Sequence, residues 1–224
     1  MIITKMRRAS QEGFTIAEIL VATAIFSIVL LVALAGFLQI GHIFYKGVSL
    51  AQTQEVTNHI FQDINGNFQT AANVSPPQSN NGYQYFCVGN TRYTYRLGNE
   101  VNLGGAPDHS PSGSFGILKD VLPGSTACAA PCSDTGVVIC NPPNVKLSNP
   151  TELLGEKMRV SNFSITNPNA SALNLYNVSI VLAYGDDDVL DLSTPTAPFC
   201  KGNAGDEFCA VSQINTAVYK GWHQ

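Results

Sequence analysis

The spacing of hydrophobic positions changes twice along this chain. From Ile19 to Phe44 nearly every residue is apolar, and none is charged unless His42 is protonated. A run of that length spans a bilayer, which needs about 20 apolar residues rising roughly 1.5 Å each. With Leu, Ile, Ala and Val throughout and no proline, residues 14–45 read as helix, with Gly36, Gly41 and Gly47 as its weak points. Val56, Ile60, Ile64 and Phe68 then recur every four residues, with Phe61 alongside and Gln54, Asn58, Gln62 and Asn65 elsewhere. That is an amphipathic helix with one apolar stripe, and Asn73-Val-Ser-Pro-Pro77 ends it. A helix of about 60 residues would measure roughly 90 Å, half suited to lipid and half to lying on a globular head.

Beyond Tyr83 the period becomes two. Tyr83 and Tyr85, then Tyr93, Tyr95 and Leu97, alternate with polar residues around Gly89-Asn90, the pattern of a tight hairpin. Ile117–Leu122, Met158–Ile165, Tyr176–Tyr184 and Phe208–Tyr219 are further strands. In the third of these four, Tyr176, Val178, Ile180, Leu182 and Tyr184 share one face. Residues 103–114 and 123–135 are rich in Gly, Pro and Ser and read as loops, as does the longer connection 185–205. One long helix followed by short strands predicts an α+β fold, with a mostly antiparallel sheet covering the helix stripe.

Composition adds a compartment. All six cysteines lie beyond residue 86, outside the apolar run, and in an exported domain they read as disulfides. A zinc site is the alternative, but Cys128-Ala-Ala-Pro-Cys132 lacks a second ligand pair and His109 stands alone. Six cysteines allow fifteen pairings, which spacing cannot resolve. Cys200–Cys209 is the preferred pair, because the intervening segment would close a short loop; Cys128–Cys132 and Cys87–Cys140 follow by elimination.

Two features mark the beginning. Lys5, Arg7 and Arg8 precede the apolar run, which by the positive-inside rule keeps the N-terminus cytoplasmic and sends the rest across. Glu18 is the one carboxylate within the helix start. A charge at mid-membrane costs on the order of 2.5–3.5 kcal/mol by insertion scales, so it calls for a partner. The alternative is a hydrated carboxylate near the interface, or one capping the helix. An ordinary secretory signal fits poorly, since the apolar segment is too long and the small residue precedes it.

Gly13-Phe-Thr-Ile-Ala-Glu18, with its basic leader and following apolar helix, resembles the prepilin signature of type IV pilins and type II secretion pseudopilins. The resemblance covers roughly the first 30 residues. Glu12, beside the scissile glycine, departs from the usual leader, and the partway proline of many pilins is absent. The resemblance implies that a prepilin peptidase cuts between Gly13 and Phe14 and methylates the new terminus at Phe14. It implies that Glu18 serves assembly by accepting the terminal amine of a neighbouring subunit. Residues 1–13 would then be leader, 14–45 the transmembrane and filament-core helix, 46–75 its amphipathic half and 76–224 the head. The order of elements resembles minor pilins and pseudopilins of the J/W type. The implied partners are other pilin subunits, the peptidase, the assembly machinery and the membrane, and the implied destination is a filament at the cell surface.

Other chemistry has less in its favour. Removing residues 1–13 leaves nine basic and fifteen acidic residues, a net charge of −6, which argues against a general phosphate-binding surface. Arg92, Arg96 and Lys119 would be a small basic patch if a nucleic acid were bound, though a solvated sheet face is the simpler expectation. Asp186, Asp188 and Asp191 are candidate calcium ligands, set against an ordinary acidic turn. His42, His59, His109 and His223 are scattered, and no nucleophile elbow, metal-binding His pair or phosphate loop occurs, so no enzyme activity and no cofactor is expected. The competing function is a membrane-anchored adhesin or binding protein that never polymerises.

Overall fold

In a computed structural model, the described residues are 13–99, 101, 116–124, 128–132, 145–168, 174–191, 199–202 and 206–221. Helix α1 runs over Ile16–Thr70. It passes Gly36, Gly41 and Gly47 without interruption, because a glycine penalty of about 0.5–1 kcal/mol is small against the cooperativity of a long run of helix formers. The chain divides into two units, residues 1–44 and 45–224. In the first, the described residues are almost all exposed, and an 18-residue window of the helix reaches a mean hydropathy of 2.7 with none of it buried.

The strands all belong to the second unit: β1 (Gln78–Asn80), β2 (Tyr83–Val88), β3 (Thr91–Tyr95), β4 (Ile117–Val121), β5 (Pro131–Cys132), β6 (Val145–Lys146), β7 (Thr151–Glu152), β8 (Met158–Thr166), β9 (Leu175–Tyr184), β10 (Leu190–Asp191), β11 (Phe199–Cys200) and β12 (Ala210–Tyr219). A five-stranded sheet has the order β1-β2-β3-β4-β7, and a three-stranded one β12-β9-β8; both are antiparallel. The helix followed by antiparallel sheets is the expected α+β class. The six longer strands match the period-two segments, and Gly89, at φ 62°, supplies the turn between β2 and β3. The two- and three-residue strands β1, β5, β6, β7, β10 and β11 escape that reading because they are too short to show a period. Residues 131–132 and the 185–205 connection, expected as loop, thus contain strand. The expected loop 103–114 lies outside the described residues.

The stripe Ile60, Ile64 and Phe68 is fully buried. It packs with Phe86, Tyr93 and Tyr95 from the larger sheet and Phe163, Val178 and Ile180 from the smaller one. Burying each such side chain contributes about 1.5–3 kcal/mol. Phe86 is the hinge of this core, stacked on Tyr93 at 4.8 Å and on Phe163 at 4.5 Å between ring centres. Polar contacts fix the helix against the sheet. Asp63 accepts hydrogen bonds from Tyr93 Oη (2.8 Å) and Lys119 Nζ (2.5 Å), while Asn67 Nδ2 donates to Tyr93 Oη at 2.7 Å. Burial, with the Asp63 carboxylate beside it, pushes the Tyr93 phenol well above its ordinary range.

The helix ends on β12. Gly221 N–H donates to Phe68 O at 3.3 Å, and Lys220 Nζ to Ala72 O at 3.1 Å, a cation beside carbonyls that the helix leaves open. A Cβ on Gly221 would lie 1.8 Å from Gln69 O, so only glycine permits this approach.

Candidate functional site

The residues singled out at the N-terminus occupy the start of α1. Gly13, Phe14 and Thr15 precede the helix. Phe14 is 83% exposed and a Cβ on Gly13 would meet nothing, so the Gly13–Phe14 bond sits outside the helix, in open chain. Thr15 and Glu18 form a reciprocal cap. Glu18 Oε2 accepts from Thr15 N–H and Thr15 Oγ1, each at 2.8 Å, and Glu18 N–H donates to Thr15 Oγ1 at 3.3 Å. The sequence Thr-Ile-Ala-Glu has the Thr-x-x-Glu spacing of such a cap. Both of these bonds to the carboxylate use the same oxygen, Oε2. Behind it the face is apolar, with Ile19, Ala22 and Phe26 around an open groove of about 290 Å³.

In the head, Arg92, Arg96 and Lys119 do not form a basic patch. In cross-strand register, Phe86, Tyr93 and Lys119 make one row facing the helix, and Cys87, Arg92 and Asp120 make the next row on the opposite face. Arg92 is fully buried there. Its Nε and Nη2 grip the two oxygens of Asp120 at 2.9 and 2.7 Å, and Nη1 donates to Ala129 O and Val145 O, both at 2.9 Å. Asp120 also accepts Ser148 N–H at 3.2 Å. Lys119 turns to Asp63, and Arg96 lies 5.9 Å over the Tyr83 ring. The guanidinium expected on a solvated face instead holds a second layer of chain, residues 128–132 and 145–148, onto the sheet.

That layer explains the disulfides. Cys200 and Cys209 are joined, S–S 2.07 Å, and close the β11–β12 connection. Cys87 is joined to Cys128, not to Cys140, and the expected Cys128–Cys132 pair is therefore absent. Cys87 stands beside Arg92 in its row, and Arg92 holds the carbonyl of Ala129, so Cys128 is carried onto Cys87. Ser75 bridges them, its Oγ accepting Cys87 N–H at 2.9 Å and lying 3.1 Å from Cys128 Sγ. Cys132 is disulfide-bonded and buried with Tyr83, Val101 and Leu118, whereas Cys140 lies outside the described residues.

The acidic turn is neutralised from within. Lys157 pairs with Asp186 at 2.7 Å, which raises the lysine's pKa, and Arg159 pairs with Asp187. Lys201 Nζ donates to the carbonyls of Asp187 and Asp188 at 2.7 and 3.0 Å. Among the described residues no group of three His, Cys, Asp or Glu side chains is placed to hold a metal. His109 and His223 fall outside those residues.

One titratable group escaped the sequence. Glu152 bridges two segments, its Oε1 accepting N–H bonds from Ile117 (3.1 Å) and Leu154 (2.8 Å), while Oε2 is buried and unbonded among the described residues. Burial pushes its carboxyl up to about 7, the backbone bonds only partly opposing this.

Comparison with known proteins bears on the N-terminus. Residues 8–34 match the family model described as the prokaryotic N-terminal methylation motif. No curated protein and no solved structure matches the chain. The chain thus carries a motif characteristic of type IV pilins and pseudopilins, a structural rather than catalytic class. It supports a pilin-like or pseudopilin role, with peptidase processing, assembly with pilin subunits and membrane anchoring.

Proposed function

We propose that this chain is a structural subunit, a minor one, of a type IV pilus or related filament. The observation that carries the reading is the methylation motif running directly into an exposed apolar helix whose start holds a single acid, Glu18. Before assembly the chain crosses the membrane once, basic leader in the cytoplasm. A prepilin peptidase cuts after Gly13 and methylates Phe14. The open-chain position of that bond, ahead of the Thr15 cap, suits a protease, which needs an extended substrate.

In the filament the apolar helices bundle, and Glu18 neutralises the Phe14 amine of the adjacent subunit. Each charge removes the other's desolvation cost, and that pairing fixes the axial stagger. The capped carboxylate is compatible with this role, since its Oε1 makes none of the cap's bonds. The disulfide-braced head faces outward.

Co-expression with a prepilin peptidase should yield a product shortened by 13 residues, beginning at N-methylated Phe14, read by intact mass. Glu18→Ala should be processed normally yet be missing from filaments sheared off the cell surface. Cleavage at another bond, or normal incorporation of Glu18→Ala, overturns the reading; a parent chain that is processed yet missing from sheared filaments would favour an anchored adhesin that never polymerises.

A further inference from the structure

We propose that the outward face of the β12-β9-β8 sheet binds neutral glycans, a function that goes beyond the subunit role and does not rest on it. The inward residues of β9, Val178, Ile180 and Leu182, are buried in the core. On the other face the strand register aligns Thr166, Asn177 and Ala217 in one row and Ser164, Ser179 and Asn215 in the next. These rows line an open groove of about 380 Å³, within the range of small-molecule sites. A third row, Asn162, Val181 and Gln213, continues the pattern.

None of these residues is charged, in a domain whose other surfaces carry the acids and bases. The amides and hydroxyls are also largely unspent. Ser179 Oγ donates to Asn215 Oδ1 at 2.5 Å, which leaves Asn215 Nδ2 to donate elsewhere. Among the described residues, the side chains of Ser164, Thr166 and Asn177 make no hydrogen bond.

A grid of uncharged groups that both donate and accept is complementary to sugar hydroxyls, which do the same. It offers nothing to phosphate or carboxylate, which take charge-assisted partners. A protein partner would require an apolar centre with a polar rim, and here the large exposed apolar side chains lie at the margin instead. Leu175 and Tyr219, opposite one another in register, are 40% and 49% exposed at the end of the sheet. They give the C–H face of a sugar ring something to pack on.

The test uses the full chain in detergent micelles, with cellohexaose, maltohexaose, chitohexaose and mannohexaose as neutral probes and hexagalacturonate as the anionic one. Saturable binding of at least one neutral hexasaccharide is expected, insensitive to salt. Asn177→Ala combined with Asn215→Ala should weaken it about tenfold or more, as the loss of two hydrogen bonds predicts, with an unchanged unfolding midpoint. Thr166→Arg, which fills the groove from the sheet edge, should weaken it independently. Absence of neutral binding below about 10 mM, preference for hexagalacturonate, or variants that bind like the parent would each overturn the proposal.

Discussion

Without its guanidinium, the Arg92 position would leave Asp120 as a buried carboxylate facing the single N–H of Ser148. Arg92→Met should therefore destabilise the head by about 3–5 kcal/mol in denaturant unfolding, and adding Asp120→Leu should restore much of that loss, because the orphaned charge goes with it. Glu152 predicts a pH effect of definite sign. Its carboxyl ionises at about 7 in the fold against an ordinary 4.5, so the folded state binds the proton more tightly. Stability should fall as pH rises from 4.5 through 7, by on the order of 1–3 kcal/mol, and Glu152→Gln should flatten that slope. A Glu152→Gln variant whose unfolding free energy falls as steeply between pH 4.5 and 7 as the parent's would contradict this. Neither residue's buried role was legible in the sequence, where Arg92 reads only as part of a small basic patch or a solvated face. Arg92 and Asp120 are separated by 28 positions, and nothing local distinguishes a solvated arginine on an alternating strand from one roofed by chain arriving later.

Elements long enough to show a period were legible. The fourfold stripe of α1 and the alternation of β9 each report one buried face, which is why their boundaries fall within a few residues of expectation. The second layer over β2 and β3 was not, since two-residue strands carry no period and are placed by Arg92 and a disulfide. Cys87–Cys128 closes a separation of 41 residues and Cys200–Cys209 one of 9. On a chain-entropy account the first should contribute about 4 kcal/mol and the second somewhat under 3. The paired variant Cys87→Ala with Cys128→Ala should thus lower the unfolding midpoint more than Cys200→Ala with Cys209→Ala. Equal shifts would mean that the β5–β6 layer contributes nothing once untethered.

For the whole molecule, every buried residue among those described lies at Ser49 or beyond, so no described residue of 13–44 belongs to the head's buried core. A chain beginning at Tyr45 should fold by itself and stay soluble, with an unfolding free energy within about 0.5 kcal/mol of the full chain. Circular dichroism and sedimentation would check it; an aggregated or unfolded fragment would refute it. The methylation motif was legible because its chemistry is contiguous, while the head's purpose is spread over strands that meet only in the fold. The Asp63 contacts bear on how such a head would carry load. An apolar stripe repeating every four residues nearly superposes on itself after a slide of one helical turn, about 5.4 Å, so oily packing alone is indifferent to that slip. Tyr93 and Lys119 both reach Asp63, and neither finds a second carboxylate one turn away, where Asn67 and His59 stand. Tension along the helix would have to shear two hydrogen bonds to one carboxylate before the head could ratchet out of step with its stem.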